Sequence, residues 1–252
     1  MNDTSNVTNT HNGHEFVDLG LPSGTLWATC NVGATLPEHA GLYFAWGETT
    51  GYTAEQVISR KWAFDNNSYN IRPTASISTD LTLEEDAAHA YMGGNWRMPT
   101  KDEWRELIEN TASTLVSNYM GKGVKGYLFT SKINKNSIFF PAAGFCDGSS
   151  VGKVGSFGYY WLASWYQPSY AWGLFFYPGF QLLYLNAWYY GYSVRGVCKK
   201  EPSKEKVDQM KNISRVIDIL TEVAKEYSGK TIENIIVQMK SRVVELKKNN
   251  GL

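Results

Sequence analysis

Residues 157–192 read FGYYWLASWYQPSYAWGLFFYPGFQLLYLNAWYYGY. These 36 positions hold 17 of the chain's 36 aromatic side chains, and none is Asp, Glu, Lys, Arg or His. A hydrophobic core seldom spends so much tyrosine, because every buried hydroxyl needs a partner. Tyrosine favours half-wet positions such as interfaces. Pro178-Gly179 marks a turn between two alternating runs. If Leu174 and Phe176 point inward, Phe175 and Tyr177 point outward; past the turn, inward Gln181, Leu183 and Leu185 leave Phe180, Leu182, Tyr184 and Asn186 on the other face. A small antiparallel sheet keeps one face toward solvent. Half of these rings, at roughly 150–250 Å² each, would exceed the few hundred Å² of apolar patch that a monomer exposes without a purpose. The segment therefore reads as a binding surface of the paratope kind, rigid and amphipathic. The competing reading makes it the domain's hydrophobic centre, or a face covered by the helices that follow.

Working outward, residues 13–156 mix short strands, glycine turns and two helices. Thr82-Leu-Glu-Glu85 and Thr100-Lys-Asp-Glu103 are capping boxes, one opening a helix toward Tyr91 and the other a helix toward Asn110. Gly126-Tyr-Leu-Phe-Thr130 and Ser137-Ile-Phe-Phe-Pro141 read as strands separated by a polar turn at Ile133 to Asn136. The fold class is α+β, with short antiparallel sheets and helices to one side.

Composition breaks at about Cys198. Residues 199–252 carry 12 basic and 8 acidic side chains and a single aromatic, Tyr227, against 12 basic and 16 acidic before the break. Met210, Ile213, Ile217, Leu220, Ala224 and Tyr227 recur at helical spacing, as do Ile232, Ile236, Met239, Val243 and Leu246. Pro202-Ser203 gives a start signal, Ser228-Gly229 a stop and Thr231 a second N-cap, so the tail reads as a helical hairpin. Two helices alone bury little surface. They are expected to pack on the main domain, on a second copy, or on a partner. The organisation is thus a polar arm over 1–12, a ligand-binding domain over 13–198 and a helical tail over 199–252.

Zero net charge offers no handle for nucleic acid. The first residues lack the basic flank and apolar run of a secretory signal, and no apolar stretch suits a membrane helix, so neither export nor membrane insertion is expected. Cys30, Cys146 and Cys198 are odd in number and widely spaced, which disfavours a disulfide framework or zinc site. His11, His14, His39 and His89 have no neighbouring Ser or Cys that suggests a triad. No enzymatic centre, metal or cofactor is expected. Trp96 and Arg97, just before the second capping box, read as a structural ring and a loop-tying guanidinium.

Several longer motifs follow one another in register: Glu15-Phe-Val-Asp-Leu-Gly-Leu-Pro-Ser-Gly24, Leu26-Trp-Ala-Thr-Cys-Asn-Val-Gly-Ala34, Tyr43-Phe-Ala-Trp-Gly-Glu48 and Gly94-Asn-Trp-Arg-Met-Pro-Thr100. Pro141-Ala-Ala-Gly144, Tyr160-Trp161 and Ser193-Val-Arg195 continue the series. In these the chain resembles the Fibrobacter major paralogous domain family over residues 13–198. The resemblance implies a C-type-lectin-like fold related to that of formylglycine-generating enzymes, common on bacterial surface proteins and phage particles. It also points to the variable proteins of diversity-generating retroelements, in which templated, adenine-targeted mutagenesis rewrites selected codons, here within about 157–195. Gly158 to Trp161, Ala171, Leu174, Phe176, Gly191 and Ser193 to Arg195 would then be frame positions. Trp165, Tyr166, Gln167, Tyr170, Phe175, Tyr177, Phe180, Leu182, Tyr184, Tyr189, Tyr190 and Tyr192 would be diversified. Together with Asn186 these are the expected ligand-binding residues. Trp188 departs from the pattern, which has Arg there.

Gln167-Pro168-Ser169 is only superficially similar to the calcium-site motif of C-type lectins. Calcium requires carboxylates, and this surface has none. The paired cysteines of formylglycine-generating enzymes also have no counterpart, since Cys30 sits in an apolar context. The expected function is recognition of a protein or glycan on a cell surface, with the protein cytoplasmic as synthesised and phage-borne or surface-delivered. The alternative is a structural or assembly component, such as a phage tail or surface protein, whose aromatic face is buried in a subunit interface.

Overall fold

The computed structural model describes residues 9–59, 64, 79–200, 204–226 and 230–250. The chain forms two compact units, Met1–Cys198 and Lys199–Leu252. The first unit opens with β1 (Thr10–His11), β2 (His14–Asp18) and β3 (Thr25–Asn31), followed by α1 (Ala54–Ile58), α2 (Ala87–Met92) and α3 (Lys101–Asn110). Next come β4 (Thr111–Tyr119), β5 (Val124–Ser131), β6 (Ser137–Pro141), β7 (Phe145–Asp147) and β8 (Ser150–Gly152). The aromatic segment supplies β9 (Gly158–Gln167), β10 (Tyr170–Tyr177) and β11 (Phe180–Ala187), and β12 (Arg195–Lys199) closes the unit. Four sheets result, ordered β1-β2-β3-β12, β11-β10-β9, β4-β5-β6 and β7-β8, and the class is α+β.

Local signals explain most of these elements. Thr100 caps α3: its hydroxyl accepts from the Glu103 amide at 3.2 Å while the Glu103 carboxylate accepts from the Thr100 amide at 3.0 Å. That carboxylate also takes the Arg97 guanidinium, with Nη1 donating to Oε2 at 2.7 Å. Arg97 thereby ties the preceding loop to the helix start, and Trp96 beside it is fully buried. The first capping box behaves differently. Glu85 accepts from the Thr82 amide, but only one 3₁₀ turn (Leu83–Glu85) follows. α2 begins afresh behind Asp86, whose carboxylate accepts from the His89 amide at 3.0 Å and the Met98 amide at 2.7 Å. The residues before β2 are also less loose than a polar arm suggests, since β1 pairs with β2 and the Trp96 indole donates to the His11 carbonyl at 2.8 Å. Residues 1–8 of that arm lie outside those described.

Two large apolar clusters flank the β9-β10-β11 sheet. One packs Tyr160, Leu162, Leu174 and Phe176 against Trp27, Trp104, Phe129 and Phe140. The other packs Trp161, Ala163 and Ala171 against Phe44, Trp46, Trp188 and Tyr192. From Tyr160 to Ser164 strand β9 is therefore buried on both sides. The expectation of one fully solvated face holds only toward the β10–β11 turn, because the chain around Phe44 and Tyr192 returns over the rest: the Phe44 amide donates to the Tyr192 carbonyl at 2.9 Å and the Trp46 amide to the Trp188 carbonyl at 2.8 Å.

Arg195 joins these layers from within. Its Nε donates to Asn31 Oδ1 at 2.9 Å, and its terminal nitrogens reach the carbonyls of Ala28, Thr29 and Phe139 at 3.0 Å each. The three cysteines form no disulfide; Cys146 and Cys198 are buried and Cys30 is half-buried.

The second unit consists of α4 (Lys204–Glu226) and α5 (Lys230–Asn250), which pack against each other. Ile217 and Ile236 are buried in the seam, with Met210, Ile213, Met239 and Val243 half-buried. Helix α5 starts at Lys230, so Thr231 lies in its first turn instead of capping it. The expected signals Pro202-Ser203 and Ser228-Gly229, with Tyr227 and the side chains of Leu220, Ala224, Ile232 and Leu246, lie outside the described residues. Among the described residues no helix is long and apolar enough to cross a membrane.

Candidate functional site: an aromatic face on β10 and β11

Register decides which rings share a face. Across β10 and β11, Tyr177 faces Phe180, Phe175 faces Leu182, Gly173 faces Tyr184 and Ala171 faces Asn186. On the β9 side Phe175 meets Tyr159, Gly173 meets Trp161 and Ala171 meets Trp165. The opposite face holds Leu174 with Leu183 and Tyr160, and Phe176 with Gln181 and Gly158. Gly158 is required here: a Cβ at that position would sit 2.1 Å from the Phe176 ring.

The outer rings form a chain of contacts. Phe180 lies 5.2 Å from Tyr177, which is 5.5 Å from Phe175 and 5.8 Å from Phe157, with centroid distances throughout. Phe175 continues to Tyr184 at 6.0 Å and to Tyr159 at 4.7 Å. Tyr159 leads through Tyr192 at 4.9 Å to Tyr190, and Tyr190 packs on Tyr189 at 4.6 Å. Tyr184 is 47% exposed, Phe180 43% and Tyr177 37%, while Phe175, Leu182, Tyr189 and Tyr190 are half-buried.

The turn carrying Tyr177 and Phe180 is fixed from below. Tyr127 donates its hydroxyl to the Tyr177 carbonyl at 3.1 Å and accepts from the Gly179 amide at 2.8 Å. Gly179 has φ +85°, in the left-handed region that glycine enters freely. Beside it opens a slot of about 150 Å³ lined by Leu115, Tyr127, Phe176, Tyr177 and Pro178.

The expected residues do not all join this ladder. Tyr166, Gln167 and Tyr170 are exposed at the β9–β10 turn, where Tyr166 meets Trp172 edge-on at 5.5 Å and Lys101 stands 4.8 Å over the Trp172 ring. Trp165 is half-buried, its amide held by Asp80 at 3.0 Å.

Two expectations are corrected. Tyr192 is 2% exposed and stacks on Trp161 at 4.3 Å, so it is a core ring beneath the surface. Asn186 is buried opposite Ala171, and its Nδ2 has no partner among the described residues. Both lie where the chain around Trp46 and Trp188 covers the sheet. Trp188 itself, the departure from the family pattern, is buried and stacked on Trp46 at 5.2 Å. The sequence reading also missed Phe157 and Tyr159 as members of this ladder. Cross-strand register, with Tyr159 opposite Phe175, is the signal that would have found the second of these.

Burial raises the Tyr192 hydroxyl well above its ordinary value, helped by Tyr159 and Tyr190. For Tyr190 the hydrogen bond with Tyr189 comes first, followed by burial. These phenols stay neutral donors and acceptors at physiological pH. Glu48, just past Trp46, is different: it is 5% exposed, neither carboxylate oxygen meets a donor among the described residues, and burial raises it from 4.5 to about 7. Among the described residues no group of three His, Cys, Asp or Glu is placed to hold a metal ion.

No family model, curated protein or solved structure matches this chain.

The site is thus a mostly aromatic platform, half open to solvent, with Lys153 over the Phe157 ring and Asp147 close enough to act on Tyr190. It can stack on rings, cover aliphatic groups and exchange hydrogen bonds through tyrosine hydroxyls, and it presents no nucleophile paired with a base.

Proposed function

We propose that the protein is a non-enzymatic recognition protein whose β10–β11 face, from Phe180 to Tyr189, binds a protein or glycan on a cell surface. One observation carries this reading: Tyr177, Phe180 and Tyr184 are exposed rings joined through Phe175, while Leu174 and Phe176, which alternate with them on β10, are buried and Gln181, Leu183 and Leu185 on β11 are half-buried. Such rings supply contact area at small entropic cost, and a few central ones dominate affinity.

Within the same proposal, the frame is C-type-lectin-like and the face is diversified by a retroelement. Support comes from the motif resemblance and from the burial of its implied frame positions, including Tyr160, Trp161, Ala171, Leu174, Phe176 and Arg195. Binding through this face is independent of calcium, because Asp147 beside Tyr190 falls short of the carboxylate cluster such an ion needs.

The test is a Tyr177→Ala, Tyr184→Ala, Tyr189→Ala triple variant, compared with the parent by flow cytometry of fluorescently labelled protein on a panel of bacterial strains. The parent should stain a subset of strains and the variant none, with the thermal midpoint unchanged within a few degrees. A variant that unfolds would show the face to be structural. For diversification the decisive observation is DNA: an imperfect repeat of the codons for 157–192, differing at adenines, beside a reverse transcriptase gene.

A further inference from the structure

The β9-β10-β11 sheet has two edges, and the chain treats them differently. The edge of β9 is closed. The Trp161 amide donates to the Ser193 carbonyl at 3.1 Å, the Ala163 amide to the Pro99 carbonyl at 2.8 Å and the Trp165 amide to Asp80 at 3.0 Å, while the Ala163 carbonyl accepts from the Leu81 amide at 2.9 Å. The edge of β11 is open. The two-residue turn at Pro178-Gly179 makes Tyr177 and Phe180 the first hydrogen-bonded pair, and bonded and non-bonded pairs alternate from there. Phe180, Leu182 and Tyr184 thus direct their backbone groups to β10, and Gln181, Leu183 and Leu185 turn theirs away from it. Among the described residues no group takes these up.

Proteins guard an open edge with lysine, proline, a bulge or a very short strand. Strand β11 has none of these: residues 180–187 carry no charge and no proline, and they pair with β10 at eight consecutive positions without a register shift. Apolar side chains border the edge on both faces, Leu182 and Tyr184 on one and Leu183 and Leu185 on the other, and each is at least partly open to solvent. At the start of the strand a groove of about 570 Å³ lies between Phe180 and Gln181 on one wall and Ser113 and Leu115 of β4 on the other.

We propose that the target of the aromatic face is a protein, and that an extended segment of it pairs with the open edge of β11 as a fourth strand of this sheet. The inference rests on the recognition reading and narrows its partner. Hydrogen-bond complementarity selects the occupant. Gln181, Leu183 and Leu185 offer an N–H and a C=O every second residue, about 7 Å apart, and a peptide strand meets such a row group for group. Alternate side chains of the added strand would lie beside Leu182 and Tyr184 on the outer face and beside Leu183 and Leu185 on the other, with the groove receiving its end past Gln181. Backbone pairing gives affinity whatever side chains stand on the outer face, and those side chains then choose among partners.

Selection from a phage-displayed library of random twelve-residue peptides on the immobilised full chain tests this, followed by amide hydrogen exchange, read by NMR, with a selected peptide. At a peptide concentration of about 100 times Kd, exchange at Gln181, Leu183 and Leu185 should slow by up to about 100-fold. The amides of Leu182 and Tyr184, already bonded to β10, should change little. Gln181→Pro and Leu183→Pro each delete one outward amide, at an edge position where proline is tolerated, and each should weaken peptide binding by about tenfold. A library that yields no binder overturns the proposal, as does a bound peptide that leaves the three amides unprotected. Proline variants that bind like the parent refute it too; should they fail to fold, the exchange measured on the parent decides. Binding of the parent to immobilised glycans, undiminished in folded proline variants, would place the target among sugars and refute the added strand. Cell staining that survives both proline substitutions but is lost in the Tyr177, Tyr184 and Tyr189 triple variant would discard the strand and keep the aromatic face as the recognition site.

Discussion

Glu48→Gln isolates a buried acid that has no hydrogen-bond partner among the described residues. The folded chain holds the Glu48 proton up to about pH 7, whereas the unfolded chain releases it near 4.5. Between those values the native state binds the extra proton, so stability is greatest below 4.5 and falls as pH rises to about 7, by about 1.4 kcal/mol per pH unit. The full loss is about 3 kcal/mol, less whatever solvent at the loop mouth screens. Glutamine copies the shape of the neutral acid and cannot ionise. Relative to their difference at pH 4.5, the variant should therefore gain about 3 kcal/mol on the parent by pH 8, a shift of about 1.5 M in urea midpoint for a slope of about 2 kcal/mol/M. Tryptophan fluorescence is the assay of choice, because all nine tryptophans precede Lys199 and the signal reports the first unit alone. Parent and variant curves that stay parallel from pH 4.5 to 8 would refute the reasoning and imply that Glu48 is ionised and satisfied throughout.

Three further outcomes are expected. Tyr127→Phe removes the hydroxyl that holds the Tyr177 carbonyl and the Gly179 amide; it should cost about 1–2 kcal/mol in urea titration and speed hydrogen exchange at Gly179. Gly158→Ala should lower stability by about 3 kcal/mol or prevent folding, because the added methyl overlaps the Phe176 ring; an unchanged melting temperature would mean the strands can part there at no expense. Arg195→Met strands the carbonyls of Ala28, Thr29 and Phe139 and should destabilise by about 3–5 kcal/mol in the same assay.

What was legible in the sequence was local. Thr100 and Glu103 announce the start of α3 because a capping box is complete within four residues. Pro178-Gly179 and the alternation around it place Leu174 and Phe176 correctly inward, since a strand's period is fixed by its backbone. Asn186 was misplaced for a non-local reason: alternation says which side a residue takes, and not whether a loop far earlier in the chain returns to cover that side; Tyr192, expected on the surface from the family resemblance, is covered by the same loop. Thr82-Glu85 misled in a similar way. Its box is formed, but the buried Asp86, held by the distant Met98 amide, draws the helix start forward. Glu48 gave no signal at all, because the burial that makes it unusual belongs to the folded loop.

The two-residue period of the β10–β11 hairpin also governs how this face can change over generations. Replacement at every second position leaves the buried partners of Leu174 and Phe176 undisturbed, so many side chains can be exchanged in one step. Adding or deleting a single residue before the turn would invert the strand and turn core rings out to water while drawing Tyr177 into the interior. A lineage can therefore rewrite this surface letter by letter, but its length is held constant.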